Sequence, residues 1–113
     1  MNSQGLPTDI DVLSVKKMLD AGERFVLLDV REPDEFATAS IGGSMQIPMR
    51  TVPSRLPDLE PRRGERIVVH CHHGGRSARV AQWLREQGFE RVQNMTGGID
   101  AWSQQVDSSV PRY

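Results

Sequence analysis

"RIVVHCHHGGRSARVAQWLREQG", residues 66–88, carries the sharpest change of pattern in the chain. "RIVVHC" (66–71) is apolar at consecutive positions and too short for a helix, so it reads as a strand buried on both faces. "RSARVAQWLREQG" (76–88) then spaces Val80, Ala81, Trp83 and Leu84 for the inner stripe of a helix that stops at Gly88. A buried strand joined to a helix by a few residues is the repeating unit of a parallel sheet. The joint, "CHHGGR", holds the only cysteine, Cys71, and two of the three histidines, with His70 just before it.

Outward from this unit the same alternation continues. Upstream, "DVLSVKKMLDAGE" (11–23) predicts a helix capped by Asp11 and stopped at Gly22, with Val12, Val15, Met18 and Leu19 inward. "FVLLDV" (25–30) predicts a second buried strand, and "EPDEFATA" (32–39) a short helix with Pro33 in its first turn. "GGSMQIP" (42–48) gives a turn and a brief strand ended by Pro48, and 54–65 a loop with one helical turn before Pro57. Downstream, "RVQNM" (91–95) predicts a strand and "GGIDAWSQQ" (97–105) a helix, with Gly97 and Gly98 serving a turn and a helix start. The expected fold is a single α/β domain with a mainly parallel sheet and helices on both faces. Residues 1–9 form an extension, 10–106 the domain, and 107–113 a polar tail expected to be loose.

Composition narrows the function classes. The chain has 113 residues and a formal net charge of -1, with no long run of one sign, so nucleic acid and membrane are not expected partners. One cysteine excludes an internal disulfide. The N-terminus, "MNSQGLPTDI", lacks the apolar stretch of a secretory signal, and a cytoplasmic location is the expectation.

The chemistry concentrates in the 71–77 loop. Ligands of parallel sheets bind beyond the carboxyl ends of the strands, where "VVH" delivers Cys71. Gly74 and Gly75 permit a loop that turns its N–H groups inward, and the following helix aims its positive end at the same place. Amides, helix end and Arg76 would together favour a thiolate at Cys71. The plainer reading is an inert core cysteine, but its place at a strand-to-helix junction ahead of two glycines favours a nucleophile. Arg76 opposes the helix dipole at its position, which calls for a compensating anion.

"CHHGGRS" (71–77), "LLDVREPDEF" (27–36) and "MTGGIDAW" (95–102), in that order, resemble the landmarks of the single-domain rhodanese family. The resemblance implies a five-stranded parallel sheet. It implies that Cys71 takes a sulfur atom from a small anionic donor such as thiosulfate, becomes a persulfide, and passes the sulfur to cyanide, a thiol or a thiol-bearing protein. The loop from His72 through His73, Gly74, Gly75 and Arg76 to Ser77 would cradle that sulfur, with Arg76 facing the donor. Asp29 and Arg31 match a landmark beside the site. No cofactor and no metal is implied. Members commonly read "G-H-I-P-G-A" before the third strand. Here "ASIGGS" (39–44) puts Ser40 and Gly42 at the histidine and proline positions.

Several side chains keep two readings. His72 and His73 either line the pocket mouth or lend only their amides. "HCHH" cannot wrap one tetrahedral metal alone, and no second ligand group is evident. His70 reads as a structural histidine, Asp29 as a brace, Arg31 as brace or donor attractor, and Glu35 as a surface or ion-pair residue. Two rival functions remain. Cysteine-dependent phosphatases and arsenate reductases place the arginine six residues after the cysteine, where this chain has Ser77. A protein-to-protein sulfur carrier would keep Cys71 without turnover of small donors.

Overall fold

The computed structural model describes residues 6–113. Five parallel strands form one sheet: β1 (Asp9–Ile10), β2 (Val26–Asp29), β3 (Met45–Gln46), β4 (Ile67–His70) and β5 (Val92–Met95), in the order β1-β5-β4-β2-β3. The helices are α1 (Val12–Asp20), α2 (Pro33–Thr38), α3 (Leu56–Leu59), α4 (Gly75–Glu86) and α5 (Gly98–Gln105). Among the described residues no helix is long and apolar enough to cross a membrane.

The unbroken apolar runs of β2 and β4 follow from burial on both faces. Successive side chains of a strand point to opposite sides. Val26, Leu28, Ile67 and Val69 therefore pack with Leu59 of α3 and with Val80, Ala81 and Leu84 of α4. Leu27 and Val68 pack on the other face with Val12, Val15 and Met18 of α1 and with Ile99 and Trp102 of α5. Each fully buried aliphatic side chain contributes about 1.5–3 kcal/mol, so the two layers fix the register of the central strands. α1 begins where expected, with the Asp11 carboxylate accepting from the Ser14 N–H at 2.7 Å.

Four expectations need correcting. The fifth strand was not legible as a strand, because β1 is two residues long and offers no periodicity; Asp9, assigned to the extension, pairs with Asn94. The helical turn near residue 57 does not precede the proline: α3 starts at Leu56 with Pro57 inside its first turn, where the missing N–H costs no bond. α4 opens at Gly75 and closes at Glu86, against an expected span of 76–88. The tail is not loose. Val110 is buried, its carbonyl accepts from Ser103 Oγ at 2.8 Å, and Tyr113 reaches the site loop.

The altered 39–44 segment still makes its turn. Ser44 N–H donates to the Ile41 carbonyl at 3.2 Å, and Ala39 and Ile41 are buried.

Candidate active site

β2, β4 and β5 end at the same edge of the sheet, bringing together Asp29–Arg31, His70–Cys71 and Met95. From β4 the chain turns through residues 71–74 into α4. Gly74 supplies the turn with φ +118°, a conformation other residues rarely adopt. Gly75, expected to share that role, is helical and is simply the first residue of α4.

The turn aims two peptide N–H groups at one atom. Gly74 N–H lies 3.1 Å and Ser77 N–H 3.4 Å from Cys71 Sγ. Cys71 is 1% exposed. The Ser77 hydroxyl also lies 3.4 Å from the sulfur, but its single proton has a nearer acceptor in Asn94 Oδ1 at 2.5 Å. Ser77 is thus anchored to β5 from its side chain while its main chain faces the sulfur. At the N-terminus of α4 the first N–H groups have no partner within the helix, which suits the site to negative charge.

The outer side of the loop is held by another helix. Ile99 N–H donates to the Cys71 carbonyl at 2.9 Å and Asp100 N–H to the His72 carbonyl at 3.1 Å. With its carbonyls turned toward α5, the loop can present N–H groups on the inside. That contact requires Gly98. A Cβ there would stand 2.5 Å from the His72 carbonyl oxygen and closer still to that of Cys71.

Asp29 and Arg31 form a fully buried pair. Arg31 Nη2 lies 2.7 Å from Asp29 Oδ2, and the same guanidinium donates to the carbonyls of Ala39 and Glu35 and to the Tyr113 hydroxyl. The pair therefore braces the segment between β2 and β3. Arg76 is turned onto Glu35, with Nη1 and Nη2 at 2.7 and 2.9 Å from the two carboxylate oxygens. Hydrogen bonds from Arg76, foremost, hold the Glu35 pKa at about 2. Of the two readings of Glu35, surface residue or ion-pair residue, the structure shows the ion pair.

The histidines separate into three environments. Burial pushes His70 down to about 4, so it is neutral; its Nδ1 has no partner among the described residues, and Nε2 lies 3.5 Å from Ser44 Oγ. His72 is stacked on the Tyr113 ring at 3.9 Å, and burial followed by the charge of His73 lowers its pKa. The His73 side chain is 69% exposed, with Nδ1 3.9 Å from Asp100. Asn94 and Tyr113 had no sequence signal: one lies in a strand that reads as core, the other in an unpatterned tail.

The comparisons with known proteins agree with this architecture. The chain is 42% identical over 103 residues to "Adenylyltransferase and sulfurtransferase MOCS3-2" of Zea mays, covering 87% of this chain but only 21% of that protein. It is 36% identical over 95 residues to "Sulfurtransferase" of Allochromatium vinosum, covering 84% of this chain and 87% of that protein. The crystal structure of a rhodanese-related protein from Thermoplasma volcanium superposes with a TM-score of 0.78 at 30% identity, covering 88% of this chain and 94% of that one. The family model described as "Rhodanese-like domain" matches residues 11–105, and the chain belongs to the rhodanese-like family.

Proposed function

We propose that the domain is a sulfurtransferase that carries a sulfane sulfur as a persulfide on Cys71. The observation that carries this reading is the pair of main-chain donors, Gly74 N–H and Ser77 N–H, on one buried sulfur. Two amides on one atom suit a sulfur anion, whether thiolate or persulfide. Sulfurtransferase relatives of comparable length support the same chemistry.

In the first half-reaction a lone pair of the Cys71 thiolate attacks the outer sulfur of a donor such as thiosulfate. The S–S bond of the donor breaks, its electron pair leaves with sulfite, and Cys71 keeps the sulfur as a persulfide anion. In the second, cyanide or a thiolate attacks that outer sulfur, and the electron pair returns to Cys71 as thiolate. Charge balances in both steps, so no base or metal is required. Because Cys71 is 1% exposed, only a terminal atom presented end-on reaches its sulfur. The tightness of the loop disfavours the phosphatase reading, since donors already 3.1 and 3.4 Å from the sulfur leave little space for a tetrahedral oxyanion.

The maize relative carries a sulfurtransferase within a protein nearly five times the matched length, which favours a second reading of this chain as a protein-to-protein sulfur carrier. Intact mass before and after incubation with thiosulfate, beside Cys71→Ser, tests the primary reading. The expected result is a gain of one sulfur atom, absent from the variant and lost on adding cyanide, with ping-pong steady-state kinetics. Sulfur gained but turned over only with a protein thiol moves the reading to a carrier. No gain from thiosulfate or from any other sulfane donor overturns it.

A further inference from the structure

Arg76 is the first guanidinium after the cysteine, and the loop position it occupies would ordinarily add positive charge to an anion site. Here that charge is already taken. The Glu35 carboxylate accepts from both terminal nitrogens of Arg76, from the Glu32 N–H at 3.0 Å and from the Tyr113 hydroxyl at 2.8 Å. This is unlike a mobile surface ion pair. Glu35 sits in the first turn of α2 in a capping box with Glu32, and its side chain is 17% exposed. Four donors from three other residues fix its rotamer, so an incoming anion cannot readily take Arg76 from it.

The other charges at this edge cancel as well. Arg31 is paired with Asp29 inside the protein. His72 has its pKa lowered, chiefly by burial, and Asp100 stands between His73 and Arg112. Burial, first, raises the Tyr113 phenol to about 12, which leaves it uncharged at neutral pH. Arg79 lines a separate apolar groove with Met49, Val52 and Trp83. What remains for an anion is the partial charge of the loop amides and of the α4 N-terminus. Those donors are shared with the Cys71 sulfur anion, so a donor of one negative charge is accommodated more easily than one of two.

We infer that Glu35 is a positioning residue that sets donor selectivity: by neutralising Arg76 it tunes the pocket toward sulfane donors of low charge, such as thiosulfonates and organic persulfides, and against the thiosulfate dianion. The inference rests on the Cys71 persulfide reading and adds to it the substrate class. The chemistry is the same for both donor classes. The Cys71 thiolate attacks the outer sulfur, the donor S–S bond breaks, and the electron pair leaves with sulfite from thiosulfate or with methanesulfinate from methanethiosulfonate.

The test measures single-turnover persulfidation of the full chain with those two donors, which differ by one charge and share the reacting sulfur. Glu35→Gln keeps the capping acceptor and the side-chain shape while unmasking Arg76. Because Coulomb energy scales with the product of charges, half-saturation should fall roughly tenfold for thiosulfate and roughly threefold for methanethiosulfonate. The maximal rate should hold within about twofold, and raised salt should shrink both effects. Arg76→Gln leaves Glu35 unpaired and should shift half-saturation the opposite way, more for the dianion. The double variant should restore the wild-type preference between the donors. Tyr113→Phe removes hydrogen bonds but no charge and should leave that preference alone. Equal shifts for the two donors, or none in either single variant, overturn the inference while sulfur loading itself stands. A wild-type chain that takes sulfur from no donor overturns it together with the reading beneath it.

Discussion

The sulfur of Cys71 sits in the apolar core and faces two main-chain N–H groups, so residues that place backbone shape its polar environment. Gly98 is the clearest case. With φ +60° and no space for a Cβ, Gly98→Ala forces the carbonyls of Cys71 and His72 away from the α5 amides. We expect a loss of about 2 kcal/mol or more and at least a tenfold drop in persulfidation rate, read by urea denaturation and by mass-resolved sulfur loading. At this scale the sequence pointed to candidate residues for the chemistry but not to what each one touches. Cys71, Gly74 and Ser77 meet as the loop pattern indicated, because their relation is local. Arg76 meets Glu35, 41 residues away, and Ser77 meets Asn94, 17 residues away. Nothing in a linear pattern pairs residues across a sheet edge.

The strand–loop–helix joint behaves as an element with one unusual position rather than two. Gly74 needs its left-handed backbone; Gly75 is helical, and a Cβ there meets nothing within 4 Å. The two glycines should therefore respond oppositely to alanine. Gly75→Ala should stabilise the fold by about 0.5 kcal/mol by restricting the unfolded chain, with sulfur loading retained. Gly74→Ala should cost about 1–2 kcal/mol and slow loading at least tenfold as its N–H leaves the sulfur. Thermal melts of both variants beside loading rates check the contrast. Elements with long apolar periodicity, α1, β2, β4 and α4, were legible because burial on a defined face leaves a period in the sequence. β1 and the tail were not. A two-residue strand has no period, and Tyr113 is held by a ring stack and hydrogen bonds to Arg31 and Glu35, which composition does not reveal.

For the molecule as a whole, the two apolar layers enclose a titratable group that the fold keeps neutral. The unfolded chain binds a proton at His70 near pH 6.5, whereas the native state refuses it until about pH 4, mainly through burial and against the pull of Asp29. Stability should therefore fall as pH drops through that window, by about 3 kcal/mol at full extent. Glu35, held at about 2 against a usual 4.5, contributes stability above about pH 4.5 that is lost only in stronger acid. Urea midpoints from pH 7 to 4 should slope downward for the wild type and flatten for His70→Leu; parallel slopes would assign the acid sensitivity elsewhere. The clamp of α5 on the site loop has a further consequence, for engineering. Since the nearest donors to the sulfur are peptide groups, rim side chains outside the Arg76–Glu35 pair and the Ser77–Asn94 anchor have more freedom to vary. The 69% exposed imidazole of His73 and the open space beside Gly75 make these positions interchangeable parts. A library randomised there should retain sulfur loading while redirecting the cargo among acceptors, so that one scaffold serves many recipients.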